Sequence, residues 1–219
     1  MGASPIDLSV LFLGTSFDRK SFDIHRDRVS RYERKSIQEI CSAATPCFFS
    51  EPTNSKQIIE IIQSLSVDVC IQAGVNQILK KDILIASKLG VINVHPGWLP
   101  RFRGCSCVEW AIYFDQPICN SAHFCDEGID TGPIIHVERV PLEGVNSYRE
   151  LRMRTYEHGQ KMMVKSVEMI LQGVTLATAK PQGEGKYHKI MREPLLGETI
   201  RKFELGHYSP SLSDSGLFE

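Results

Sequence analysis

Three short apolar runs, Leu8–Leu13, Val67–Ala73 and Val91–Val94, set the terms for what this chain can fold into. Each is rich in β-branched or aromatic residues and each runs into Gly, Asn or His, as buried parallel strands do where they stop at a polar edge. Between the last two, Gln77–Leu89 carries Ile78, Leu79, Ile83, Leu84, Ile85 and Leu89, a pattern that fits a short crossover helix packed on a sheet. Strand, helix, strand is a βαβ unit, so the expected class is α/β with a largely parallel sheet flanked by helices.

Two further helices can be read from their caps. Asn54 or Ser55 can open a helix whose Ile58, Ile59, Ile62 and Leu65 share one face. Ser147 and Glu150 form a capping box, followed by Met163, Val167, Ile170 and Leu171 and a stop at Gly173, which predicts a long helix through 147–172. Ala122–Cys125 and Ile134–Pro141 are strand-like, and the turn-rich stretch from Asp126 to Pro133 joins them.

The strand Val91–Val94 ends in Asn93-Val94-His95-Pro96-Gly97, at the carboxyl edge where open α/β sheets bind ligands. Period two puts Asn93 and His95 on one side, so both can address one substrate atom. An amide N–H and an imidazole suit a carbonyl that becomes an oxyanion under attack, and imidazole also moves protons near neutral pH. Such a ring calls for a carboxylate that holds its tautomer and supports its protonated form, and Asp130, in a Gly-flanked loop, is the best-placed candidate.

Two blocks carry a resemblance. Asn93-Val94-His95-Pro96-Gly97-Trp98-Leu99-Pro100-Arg101-Phe102-Arg103-Gly104 is followed by Glu109-Trp110-Ala111-Ile112, then by His123 and Asp126-Glu127-Gly128-Ile129-Asp130-Thr131-Gly132-Pro133-Ile134-Ile135. In order and spacing this closely resembles the formyltransferases that use N10-formyltetrahydrofolate. The departures are Gly97 and Trp98, where Ser and Leu are usual. The resemblance implies a Rossmann-like domain with Asn93, His95 and Asp130 as the catalytic residues. An amine attacks the formyl carbon, Asn93 and protonated His95 stabilise the oxyanion, and Asp130 supports the ring's charge. It also implies that Gln77, Ile78, Leu79, Cys125 and Asp126 surround the folate's pterin. Arg103 and Gly104 would face the acceptor, with Trp98 and Phe102 from the same loop, and Tyr187 would reach the sugar or base. Core packing competes for Ile78, Leu79 and Trp98.

Length and motifs then bear on the acceptor. The tRNA enzymes of this family carry a further C-terminal domain, whereas only about forty-five residues follow Gly173 here. The purine enzymes carry a Gly-x-Gly-Ser-Asn phosphate loop after the first strand, where this chain has Gly14-Thr15-Ser16-Phe17-Asp18. A small-molecule acceptor, a nucleotide-linked amino sugar, is therefore expected, with glycinamide ribonucleotide formyl transfer and formyltetrahydrofolate hydrolysis as alternatives.

Composition agrees with a small substrate. Lys+Arg 25 against Asp+Glu 26 leaves a net charge of −1, so no nucleic-acid footprint is expected, and a basic stretch over 19–35 is interleaved with acids as solvated surface is. Seven cysteines, an odd number, favour a reducing compartment, with cytoplasm as the default. No membrane association and no metal site are expected; Cys105-Ser106-Cys107 lacks the second cysteine pair of a zinc motif. The 219 residues divide into a catalytic domain over 1–178, a small extension over 179–208 that could form a β-hairpin, and a poorly ordered tail over 209–219. A homodimer is compatible with the sequence, which does not set the oligomeric state.

Overall fold

A computed structural model of the chain describes residues 11–13, 47–49, 53–73 and 77–210. The elements in chain order are β1 (Leu11–Leu13), β2 (Cys47–Phe49), α1 (Lys56–Ser64), β3 (Cys70–Gln72), α2 (Lys81–Leu84), β4 (Val91–His95), β5 (Arg103–Gly104), α3 (Cys107–Tyr113), β6 (Cys119–Phe124), β7 (Ile134–Arg139), α4 (Tyr148–Leu171), β8 (Tyr187–His188) and α5 (Leu195–Glu204). The readings made for residues 14–18, the basic stretch 19–35, the turn at 74–76 and the tail beyond Pro210 lie outside the described residues.

The α/β class holds, but the sheet that carries the site is mixed. Its order is β3-β4-β6-β7. β3 and β4 are parallel, whereas β4–β6 and β6–β7 are antiparallel. The reason is local: the chain leaves β4 at His95, turns through β5 and α3, and re-enters beside the strand it left. β6 and β7 are then joined by a short loop, which requires antiparallel pairing. β1 and β2 form a separate parallel pair.

Burial on the two faces of this sheet creates the site. On one face Ile92 and Phe124 pack with Val167 and Ile170 of α4. Nearby, Asn120 Nδ2 donates to the Thr155 carbonyl of α4 at 2.9 Å. The other face is covered in two pieces. Val91 joins Ile58 and Ile62 of α1, Leu79, and Ile83 of α2. Cys119 joins Trp98, Phe102 and the α3 residues Val108, Ala111 and Ile112. The strand period places Asn93, His95, Ser121 and His123 on this second face, in the gap between the two apolar clusters.

α4 forms where its signals predict. Ser147 Oγ accepts from the Glu150 N–H at 3.2 Å and Glu150 Oε2 accepts from the Ser147 N–H at 3.2 Å, completing the capping box. Full burial of Leu151, Met162, Val167 and Ile170 anchors it, at roughly 1.5–3 kcal/mol for each such side chain. α1 likewise opens on Ser55. The crossover helix expected over Gln77–Leu89 shrinks to the single turn of α2. Asn54 is the cause: its side chain donates to the Ile78 carbonyl at 2.9 Å and accepts from the Lys80 N–H at 2.7 Å, holding that backbone extended. Ile85 is left exposed.

The segment after α4 is not a hairpin. Lys180 bridges Ile134 at the sheet edge, β8 pairs in parallel with β5, and α5 packs on α3. Lys202 Nζ donates to the Ile112 carbonyl at 3.0 Å and meets Asp115 Oδ2 at 2.6 Å. Tyr208 donates to the Gln116 carbonyl at 2.8 Å. The segment is therefore a strap lying along the sheet edge, β5 and α3. No described helix is long and apolar enough to cross a membrane.

Candidate active site

Asn93, His95 and Asp130 converge. His95 closes β4, is 4% exposed, and places Nε2 2.8 Å from the Phe102 carbonyl oxygen. A carbonyl can only accept, so Nε2 carries the proton and Nδ1 is the nitrogen left for chemistry. Nδ1 lies 3.3 Å from Asp130 Oδ2, which also accepts the Gly104 N–H at 2.9 Å. The β6–β7 loop begins beside Val91 and must double back over the sheet to bring Asp130 here. At Asp130 the backbone enters the left-handed region, with φ of 54°. Such a conformation in a residue other than glycine persists only where neighbours hold it.

His123 fixes Asn93. The β4–β6 register sets the two directly opposite each other. His123 Nδ1 is 2.8 Å from the Phe124 carbonyl, so Nδ1 donates. Burial pushes the His123 pKa down and keeps the ring neutral, so Nε2 is an acceptor. Asn93 Nδ2 lies 3.3 Å from it. The amide must present its NH₂ end there, and among the described residues its second N–H has no other partner, so it can meet an oxyanion. His123 Nε2 also stands 3.7 Å from Asp130 Oδ1, so one carboxylate faces both rings.

The turn after His95 is built to be tight. Ser121 Oγ donates to the Gly97 carbonyl at 2.7 Å and accepts from the Leu99 N–H at 3.0 Å. A Cβ on Gly97 would lie 2.5 Å from His95 Nε2 and 2.7 Å from the Phe102 carbonyl oxygen. The bond between ring and carbonyl thus depends on glycine at this position.

Other expected site residues fall in several places. Trp98 and Phe102 are core residues, 3% and 4% exposed, and do not present their rings to a ligand. The 98–102 turn drives them into the apolar cluster under α3, and Phe102 serves the site through its carbonyl. Arg103 is engaged by the strap: its Nε and Nη2 donate to Gln182 Oε1 at 3.1 and 2.8 Å. Gly104 is beside the triad through its N–H. Tyr187 stands over it, half exposed, and its phenol is raised by partial burial and then by Cys105 and Asp130 nearby.

On the donor side, Leu79 is buried and Cys125 packs on the same cluster. Burial, then Asp130 and Asp126, pushes the Cys125 thiol up to about 12, so it stays protonated and donates to Gln72 Oε1 at 3.2 Å. Ile78 is 59% exposed beside them. Gln77 Oε1 accepts from the Thr53 N–H at 3.0 Å. Asp126 Oδ1 accepts from Thr131 Oγ1 at 2.6 Å and from the Gly128 N–H at 3.1 Å, so this carboxylate folds the loop that carries Asp130. Among the described residues no group of three His, Cys, Asp or Glu is arranged to hold a metal ion.

Two residues for which no role was expected complete the arrangement. Gln182 Nε2 donates to the Asp130 carbonyl at 3.1 Å and to the Gly132 carbonyl at 2.6 Å while its Oε1 holds Arg103, so the strap clamps the Asp130 loop to β5. Glu109, fully buried, faces Arg152 Nη1 at 3.4 Å and accepts from the Tyr148 hydroxyl, which ties α3 to α4 behind the site.

Residues 24–167 match the family model described as "Formyl transferase". A methionyl-tRNA formyltransferase from Clostridioides difficile is 30% identical over 151 residues, covering 68% of this chain and 49% of that protein. The chain spans about half the length of the curated relatives it matches. Among solved structures, the formyltransferase PseJ from Anoxybacillus kamchatkensis, in complex with UDP-4,6-dideoxy-4-formamido-L-AltNAc and tetrahydrofolate, superposes with a TM-score of 0.56 at 21% identity, covering 94% of this chain and 92% of that one. Glycinamide ribonucleotide transformylase 1 from Symbiobacterium toebii gives a TM-score of 0.55 at 21% identity, with 75% and 74% covered. At these identities the likeness is one of fold.

Proposed function

Because the chain belongs to the formyl transferase family, we propose that it moves a formyl group from N10-formyltetrahydrofolate to the primary amine of a nucleotide-linked amino sugar. The observation that carries the reading is the convergence of the second Asn93 N–H, His95 Nδ1 and Asp130 in the gap between two apolar clusters.

The amine lone pair attacks the formyl carbon, and the carbonyl electrons move onto oxygen. Asn93 and a protonated His95 donate to that oxyanion, while Asp130 supports the charge on the ring. Collapse re-forms the carbonyl and breaks the bond from carbon to N10. The proton lost by the amine is passed to N10, giving the N-formylated acceptor and tetrahydrofolate. Such pre-aimed donors act where charge develops, and loss of one costs on the order of 10²–10³ in rate. The exposed Ile78 and the rim residue Cys125 offer an apolar ledge for the pterin, with Gln77, Leu79 and Asp126 shaping the backbone around it.

The sugar acceptor is supported by the strap closing on the triad. It is supported too by the fold shared along almost the whole chain with an enzyme crystallised with a formamido sugar nucleotide. A methionyl-tRNA acceptor is the second reading, favoured by the curated relatives.

The test is tetrahydrofolate release from N10-formyltetrahydrofolate with a panel of amino-sugar nucleotides, methionyl-tRNA, glycinamide ribonucleotide and no amine, beside Asn93→Ala and His95→Ala. Turnover with an amino-sugar nucleotide, abolished in both variants, is expected. Turnover with methionyl-tRNA or glycinamide ribonucleotide alone would replace the acceptor, and turnover without amine would make the protein a hydrolase.

A further inference from the structure

A cleft of about 760 Å³ opens beside the triad, with Cys105, Trp110, Tyr187, Lys189, Met191 and Arg192 in its walls. Sites for small molecules run from about 300 to 1,000 Å³, so its size suits a ligand larger than an amine and a sugar ring alone. Its link to the chemistry is short. Cys105 follows Gly104, whose N–H holds Asp130, and the Tyr187 ring lies within 2.9 Å of where a Cβ on Gly104 would sit.

The walls combine two kinds of group. Lys189 and Arg192 are both exposed, and among the described residues no carboxylate lines the cleft with them. The charged side chains of the walls are thus both cationic, and the planar fork of Arg matches phosphate oxygens. Trp110 supplies a rigid aromatic surface. Its indole N–H donates to the Lys189 carbonyl at 2.8 Å and its ring lies 5.9 Å from that of Phe114 at 20°. That bond also ties the aromatic wall to the backbone that carries Lys189.

We propose that this cleft is the subsite for the nucleoside diphosphate of the acceptor, its base lying against Trp110 and Tyr187 and its diphosphate held by Lys189 and Arg192. This rests on the reading of the acceptor as a nucleotide-linked amino sugar. Binding a remote, unreactive part of the substrate positions the amine at the triad, so the cleft sets specificity without taking part in bond making.

The test uses the whole chain and two readouts. Calorimetry with UDP, dTDP, GDP and CDP is expected to give binding of at least one nucleotide by the wild type. That affinity should fall by about tenfold or more in the double variant Lys189→Ala/Arg192→Ala and in Arg192→Glu. With the amino-sugar nucleotide, the variants should raise the acceptor KM by a similar factor and leave kcat and the KM for the formyl donor within about twofold. The amino sugar without its nucleotide should be used equally poorly by all forms. No binding of any of the four nucleotides, or equal binding by wild type and variants, overturns the proposal while leaving formyl transfer intact as a reading. Nucleotide binding lost in the variants, with no transfer to any amino-sugar nucleotide, would keep the cleft and discard the acceptor.

Discussion

At the scale of single residues, Gly97 is the sharpest test of the geometry. A Cβ there would lie 2.5 Å from His95 Nε2 and 2.7 Å from its carbonyl partner, with the Cys107 Cβ at 2.8 Å. Gly97→Ser, although it restores the residue usual in this family, is expected to lower kcat by about 10–100-fold, because small displacements of a reacting group carry penalties of that order. Steady-state kinetics at saturating substrates would check this, and an unchanged kcat would show that the turn yields freely. Gln182 gives a second test. Gln182→Glu keeps an acceptor for Arg103 but cannot donate to the Asp130 and Gly132 carbonyls, and leaving such groups unpaired costs roughly 1–3 kcal/mol. Activity in Gln182→Glu should fall with that of Gln182→Ala; full activity would exclude the clamp. That Asn93, His95 and Asp130 come together was legible in the sequence, because strand period and loop chemistry each confine them. Gln182 was not, because its partners lie 50 to 79 residues upstream and nothing local marks the role. Trp98 and Phe102 misled because an aromatic side chain in a turn looks the same before one knows what covers it.

At the scale of elements, the seam between β7 and α4 holds a titrating cluster. Glu138 is held below its ordinary value; burial opposes this, but Lys165, His136 and His158 outweigh it. His136 and His158 are both held below their ordinary value of 6.5, first by desolvation, against the opposing pull of Glu138. The unfolded chain therefore takes up these protons before the folded one does. The stabilisation is complete above about pH 6.5 and is lost as pH falls from there toward the folded-state values. The depressed Glu138 acts only as pH drops below the carboxylate range, outside this window. The thermal midpoint should decline between about pH 7 and 5.5 in the wild type and decline less in His136→Gln/His158→Gln. Equal slopes would remove the seam from the account. Among the helices, α1 and α4 were readable because each opens on a serine whose side chain caps it. α5 begins at Pro194 with no side-chain cap, and so left no such mark. The shortening of α2 depends on Asn54, more than twenty residues away, and local periodicity carries no trace of it.

At the scale of the whole molecule, the α/β class and the strand end that carries Asn93 and His95 followed from βαβ patterning, but the division into a domain and a small appendage understates how the strap is used. It bridges the sheet edge at Lys180, clamps the Asp130 loop, pairs with β5 and packs α5 on α3. Denaturant unfolding should therefore be a single transition, coincident by far-ultraviolet circular dichroism and by the fluorescence of Trp98 and Trp110. An early, separate loss of the Trp110 signal would mean that the strap detaches on its own. The clamp also orders events in time. A chain is made from its amino end, and the backbone at Asp130 waits for a glutamine 52 residues further on. A nascent polypeptide can hold His95 and Asn93 on a finished strand and still lack the Asp130 carboxylate in this pose until the residue at 182 has been made.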